Sequence, residues 1–435
     1  MLEAPLLAFI LAYLVRYYNT DIHNTIGYIF RENSNLVAYM FMAVVVALFV
    51  GMTVSAEEII RDQKIRKRES FLNLSKLSYL SSKILIMFTI SAIQMFTFVV
   101  IGNWILGIKD MYFAYWFLLF TTACFANMLG LNVSNTFNSV VTIYISIPFL
   151  LIPQLLLSGV IVKFDKLNPS ITSQKHVPIV GELMTSRWAF EALAVYQFKN
   201  NKFEQNFYEY DKDLSIAGFR KNFWLSEMRK KLGIIENNLN GKKDEKEISD
   251  ALLLLKNEIE KEELHTPKIK FEYKDFLTPE KIDKKTIQAL KKHFQLLNKY
   301  YIKKYNRALD KKDETIVALQ KDLGKEAFNK LKDEYENDNL SDLLRNRSEI
   351  NKIIEVDHEL IQRTDPVFLD PDHFRAHFYA PRKLFMNRYY ETYWFNNLIV
   401  WIFSIILMFT LYFDTFKHML DGIGKLFERI SPPKR

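Results

Sequence analysis

Between Asp110 and Lys163 the chain runs MYFAYWFLLFTTACFANMLGLNVSNTFNSVVTIYISIPFLLIPQLLLSGVIV, Met111 to Val162, without one charged side chain. A helix needs about 20 predominantly apolar residues to cross the hydrocarbon core of a bilayer. This stretch is too long for one crossing and right for two. The polar run NVSNTFN, Asn132–Asn138, marks the expected tight turn between them. The fold class expected is an all-α membrane protein.

Outward from this stretch, charge-free windows recur. None of the residues from Asn33 to Ala56 is charged, and Leu36–Val54 is apolar enough to span; Ile84 to Ile108 is again charge-free. A last span lies between Glu391 and Asp414, with Tyr393, Trp394, Trp401 and Tyr412 near its ends as an aromatic belt would place them. Ala4–Val15 is apolar, but Glu3 and Arg16 bracket only twelve residues. A signal peptide would carry a basic first region and a small-residue cleavage site, and neither is present. The preferred reading is a membrane helix whose cytoplasmic end lies before Met1, which brings the spans to six.

Basic residues beside the spans set the orientation. Arg61, Lys64, Arg66, Lys67, Arg68 and Lys76 follow the second span, and Lys417, Lys425, Arg429, Lys434 and Arg435 follow the sixth. Both segments are expected on the cytoplasmic side. An even number of spans separates them, so Phe164 to Tyr390 falls outside. The organisation expected is 1–163 for five spans, with a cytoplasmic coupling helix at 57–76. Residues 164–390 form a mainly helical extracytoplasmic domain, and 391–435 form the sixth span and a basic tail.

The outside segment is dense in Lys, Glu, Asp and Asn. Ile287, Leu290, Phe294, Leu297, Tyr301 and Tyr305 recur at three- and four-residue steps, the mark of one helix face. Thr278-Pro279 reads as the cap before that helix. Ile248, Leu252, Leu255 and Ile259 make a second stripe; Leu340, Leu344, Ile350, Ile354 and Leu360 make a rougher third. Such helices form a bundle or coiled-coil-like hairpin with solvated outer faces, or offer a docking surface to a periplasmic partner. Asp370, Asp372, His373 and His377 have a helical histidine spacing, but Pro371 and the lack of a fuller signature argue against a metal site. Asp21, His23 and Glu32 read as a solvated loop. Asn103, Asn127, Asn132 and Gln154 are uncharged polar groups at or near membrane depth, either bridges between helices or parts of a translocation path.

Several classes are excluded. The net charge of +8 is an average over two unlike environments, and basic residues alternate with acids, so nucleic acid is not an expected partner. Cys124 is the only cysteine, which rules out an internal disulfide framework and a thiol zinc site. No phosphate-binding G-x-x-x-x-G-K-S/T, H-E-x-x-H or Ser/His/Asp arrangement is marked out, so no catalytic residue is assigned. The spans carry no embedded acid or base for a proton relay. Any energy for transport comes from elsewhere.

The segment after the second span holds the strongest functional signal. Glu57 to Glu69, EEIIRDQKIRKRE, is a strongly charged amphipathic helix that can lie on a membrane surface with Ile59, Ile60 and Ile65 inward. Phe71 to Lys83 then leads into the third span. Glu57, Arg68, Glu69, Tyr79, Ser82 and Lys83 match, in order, an acidic residue, an R-E pair and a Tyr…Ser-Lys entry. After the fifth span, Leu157-Ser158-Gly159 is similar to a re-entrant turn. Ser186-Arg187-Trp188-Ala189-Phe190-Glu191-Ala192-Leu193 is similar to P-R-Y-A-x-E-A-L, with Ser186 in place of proline. In this order of parts the chain resembles the permease half of type-two ATP-binding-cassette exporters, particularly the G subfamily, over residues 1–200 and 385–415. The outside insertion, about Phe203 to Leu369, has no counterpart there.

The resemblance implies a homodimer in which each permease works with a nucleotide-binding ATPase domain that carries ATP and magnesium. That domain sits upstream on the same chain or on a separate one. The contact with it falls to Glu57, Glu58, Arg61, Asp62, Lys64, Arg68 and Glu69, and Gly159, Arg187, Trp188 and Glu191 form the re-entrant outer segment. A bacterial inner membrane is the expected location. The other functional reading is a mechanical or signalling protein, which transmits ATP-driven movement to a periplasmic partner through the helical domain.

Overall fold

The structure is a computed structural model in which residues 2–17, 27–68, 75–240, 245–419 and 422 are described. Asp21, His23, Glu69, the stretch 69–74 and the tail residues Lys425, Arg429, Lys434 and Arg435 lie outside these, as do the side chains of Lys64, Arg66 and Lys67. In chain order the first helices are α1 (Glu3–Val15), α2 (Leu36–Ser55), α3 (Glu58–Arg68), α4 (Lys76–Leu106), α5 (Tyr112–Thr136), α6 (Val140–Leu156), α7 (Ile179–Glu182) and α8 (Thr185–Lys199). There follow α9 (Tyr208–Phe219), α10 (Leu225–Asn240), α11 (Glu245–His265), α12 (Lys284–Leu323), α13 (Lys325–Tyr335) and α14 (Asp338–Leu344). Strands β1 (Ile353–Val356) and β2 (Glu359–Gln362), then β3 (Arg382–Phe385) and β4 (Arg388–Glu391), form two antiparallel hairpins ahead of α15 (Thr392–Tyr412). The chain divides into two compact units, one of Met1–Asn201, Lys332–Ser341 and Pro371–Arg435, the other of Lys202–Leu331 and Asp342–Asp370.

In the first unit, four helices among the described residues are long and apolar enough to cross a membrane: α2, α4, α5 and α15. Helices α1 and α6, of 13 and 17 residues, are apolar but shorter. At 1.5 Å per residue, the 31 residues of α4 rise about 46 Å, well beyond a hydrocarbon core of about 30 Å. Its polar opening, Lys76 to Lys83, therefore extends past the core. Ser75 caps that end by accepting from the Ser78 N–H, and Gly107, at φ 69°, closes the other.

Helix α5 is buried along most of its length and meets α2 at a close crossing. A Cβ on Gly51 would lie 2.6 Å from the Ala123 carbonyl oxygen, and one on Gly130 2.8 Å from that of Met52. Small residues allow this approach of backbones, which supplies the packing that lipid cannot. The α5–α6 break differs from expectation. Helix α5 continues through Asn132 to Thr136, and only 137–139 separate it from α6. Asn132 donates to the carbonyls of Met128 at 2.8 Å and Leu407 at 2.9 Å, and the Thr136 hydroxyl bonds the Asn132 carbonyl. Polar residues satisfied in this way do not need a turn.

The second unit has its own core, with Trp224, Met228 and Leu232 facing Leu252, Leu255 and Ile259 from α11 and Leu290, Phe294 and Leu297 from α12. The first two sequence stripes are thus the inner faces of α12 and α11. Two expectations differ. Asp283, not Thr278, caps α12, accepting from the Thr286 N–H at 2.7 Å. The third stripe is not one helix: α14 ends at Leu344, and Ile354 and Leu360 sit on the β1–β2 hairpin. Its two-residue turn, Asp357-His358, takes φ of 51° and 57°, the left-handed pair that matches strand twist.

Candidate coupling site

Helix α3 lies against the ends of three membrane helices. Ile59 is fully buried with Leu80 of α4, Met128 and Leu131 of α5 and Leu411 of α15. The first-turn N–H groups of Ile59 and Ile60 have no partner within their own helix, and both donate to the Ser134 hydroxyl of α5 at 3.1 Å. Glu58 and Asp62, four residues apart, share one face. Between them lies the Lys83 ammonium of α4, 2.9 Å from Glu58 and 2.8 Å from Asp62. Tyr79, one turn before Lys83, donates to Asp62 at 3.1 Å. Arg61 reaches back to Glu58 at 2.8 Å, and Glu57 stands at the α2–α3 junction.

A second knot adjoins. Asp414, just beyond α15, accepts from Lys76 at 2.6 Å and from the Asn135 amide at 2.7 Å. Burial alone would raise its carboxyl, but Lys76 and Asn135 hold it below the ordinary carboxylate value. The far side of α3 stays open: Arg61, Ile65 and Arg68 are exposed. Ile65 stands off the face that Ile59 buries. Six residues on from Ile59 is about 240° round the helix, which turns its side chain away from the buried face.

The re-entrant candidates gather elsewhere in the same unit. Gly159 takes φ 79°, and a Cβ there would overlap the Phe164 ring, so only glycine fits that turn. Glu191 of α8 is fully buried. It accepts from Lys383 of β3 at 2.8 Å and from the Tyr379 N–H and the Asn396 amide, both at 2.9 Å. Arg187 lies 3.3 Å from Glu182 and 3.5 Å from Glu191, with Trp188 covering its guanidinium face at 4.0 Å. The Arg187 Nε and Nη1 make no hydrogen bond, and the charge is held by the two carboxylates and the aromatic face instead. Burial opposes ionisation of Glu191, but Arg187 and Lys383 more than offset it and hold its carboxyl below the usual range. Burial pushes the Lys383 ammonium down to about 8, and Glu182 is raised by the same cause. Ser186, where the resembled motif has proline, donates its backbone N–H to the Gln154 side chain at 3.0 Å. Proline has no N–H to make that bond.

Residues 5–198 match the family model described as ABC-2 type transporter. The match takes in α1 to α7 and nearly all of α8, and so both α3 and Glu191. No curated protein and no solved structure matches the chain. The match supports an ATP-binding-cassette permease, a multi-pass membrane protein, and implies pairing with an ATP-binding domain.

Within the matched segment, Asn127, Asn132 and Gln154, expected at membrane depth, each bridge two helices. Asn127 ties α5 to Ser91 of α4 at 2.8 Å, Asn132 ties α5 to α15, and Gln154 ties α6 to α8. Of the coupling candidates, Glu57, Glu58, Arg61 and Asp62 come together at the α3 base, while Arg68 points away and Glu69 lies outside the described residues. Asp372, His373 and His377 do not share a helix, because 371–381 is irregular. Among the described residues no group of three His, Cys, Asp or Glu is placed to hold a metal ion. Lys383 escaped the sequence reading: its partner Glu191 is 192 residues away.

Proposed function

We propose that this chain is the permease part of an ATP-driven exporter of the G-subfamily type, with α1, α2, α4, α5, α6 and α15 as six passes. It works as a homodimer in a bacterial inner membrane, with ATP and magnesium held by the partner ATPase domains. The base of α3 faces the cytoplasm and receives those domains, and the second unit lies outside. Closure of the ATPase pair pulls on α3 and rocks the two halves, opening a path along α2 and α6 near Gln154, with Asn127 and Asn132 flanking it.

One observation supports this most. Helix α3 is fixed at once to α4 through Lys83, to α5 through Ser134 and to the α15 end through the packing of Ile59 on Leu411. Its outer face, with Arg61, Ile65 and Arg68, remains open to a partner. A push on that face is delivered to three membrane helices together, as a rigid-body transition requires. A second reading, mechanical transmission to an outside partner, is favoured by the separate core of the second unit.

Charge reversal tests the coupling. In the membrane complex isolated with its ATPase, Lys83→Glu should lower the ATP hydrolysis rate several-fold, and adding Glu58→Lys should restore part of it. An unchanged rate for Lys83→Glu in a folded complex would sink the proposal.

A further inference from the structure

Hairpin β3–β4 carries a feature that coupling does not use. Its register pairs Lys383 with Tyr390 and Phe385 with Arg388, leaving Met386-Asn387 as the two-residue turn. Both take left-handed backbone, with φ of 47° and 60°. Glycine or asparagine is at ease there, but methionine is strained. Yet Met386 stands at the tip, 81% exposed. Phe385, Tyr389 and Tyr390 are also exposed, and Trp394 follows on the first turn of α15. In water this would be an unexplained apolar patch on a turn whose conformation favours other residues.

The position of the hairpin supplies the explanation. It leads directly into α15 and is held to it: the Thr392 N–H donates to the Pro381 carbonyl at 3.2 Å, and its hydroxyl to the Ala380 carbonyl at 2.6 Å. The 21 residues of α15 rise about 31 Å, just enough for a hydrocarbon core of about 30 Å. Thr392 therefore sits at the edge of the core, and the hairpin begins at headgroup depth. Tyrosine and tryptophan prefer that depth, with rings in the acyl boundary and polar atoms in water. Arg388, exposed beside Phe385, suits the lipid phosphates.

We infer that the β3–β4 hairpin is an interfacial anchor that seats Phe385 and Met386 in the headgroup–acyl boundary of the bilayer. Its opposite commitment is Lys383, which turns inward to Glu191. The lipid contact is thereby linked, through one strand, to the buried ion cluster on α8, and it fixes the depth at which α15 enters the membrane. The inference rests on α15 crossing a bilayer and is independent of what is transported.

The test uses the full chain in vesicles of phosphatidylethanolamine and phosphatidylglycerol. A nitroxide is attached at Met386→Cys and, separately, at Phe385→Cys; both side chains are exposed, and the native Cys124 is buried. The expected result is a ratio of oxygen to nickel-chelate collisions several-fold above that of a nitroxide free in buffer, close to that of a label on a lipid headgroup. A ratio like that of the free label at both positions would overturn the anchor. So would loss of both kinds of collision with dipolar broadening, because a second copy would then cover the hairpin.

Discussion

Glu191→Ala should lower unfolding stability by about 3–5 kcal/mol, the cost of leaving buried cations without their counter-charge. The carboxylate has no exposure, and it takes one bond each from Lys383, the Tyr379 N–H and Asn396. Alanine removes all three at once and strands an ammonium that burial already disfavours. The loss should fall on the whole first unit, since Glu191 joins α8 to β3 and α15. Lys383→Met alone should cost a similar amount, because it exposes the opposite charge to the same dry surroundings. The double variant Glu191→Gln with Lys383→Met should recover most of the loss, as removing both partners of a buried pair often does. Denaturant unfolding in detergent micelles, followed by tryptophan fluorescence, measures all three. A loss below about 1 kcal/mol for Glu191→Ala, the size of an exposed pair, would show that the cluster is not buried as described.

Gly130→Val should be the most damaging change within the membrane helices. The added Cβ alone would meet the Met52 carbonyl oxygen at 2.8 Å and the Met52 Cα at 3.3 Å, both backbone atoms that cannot swing aside. The α2 and α5 axes would have to separate, at a cost of about 1–3 kcal/mol or more. The same movement would draw Ser134 from the base of α3, since α5 carries both residues. Gly51→Val should act in the same direction through Ala123 and Ala126. Thermal unfolding together with ATPase rate in the assembled complex reads both effects. A valine at 130 that changes neither would mean that the α2–α5 crossing is wider than the structure gives.

What could be read from sequence divides along a physical line. Charge-free length marks apolar helices because lipid excludes charge, and α2, α4, α5 and α15 appear where Leu36–Val54, Ile84–Ile108, the start of the 111–162 run and the stretch before Asp414 place them. Composition misplaced the α5–α6 break, because Asn132 and Thr136 find partners inside the bundle and stay helical. The β1–β2 hairpin hid among helical steps: Ile354 and Leu360 are six apart in sequence, yet β register sets them on facing strands. Glu58 and Asp62 stood out as charges on α3 and Lys83 as the entry to α4, but the ion pairs that join them, and Ser134, which caps α3 from 75 residues away, carried no sequence signal. Lys383 carried no local signal at all. A lone lysine in a polar strand is ordinarily solvated, and only the tertiary fold brings it to Glu191.

The most direct measurement places a photo-crosslinking side chain at Arg61, Ile65 or Arg68 on the open face of α3, with buried Ile59 as the control, in the membrane complex isolated with its ATPase. The expected result is a crosslink from the open face, and none from Ile59, to an ATP-binding domain, whether that domain is a separate polypeptide or part of a longer form of the same chain. Crosslinks to lipid alone at all three open positions would contradict the coupling role of α3.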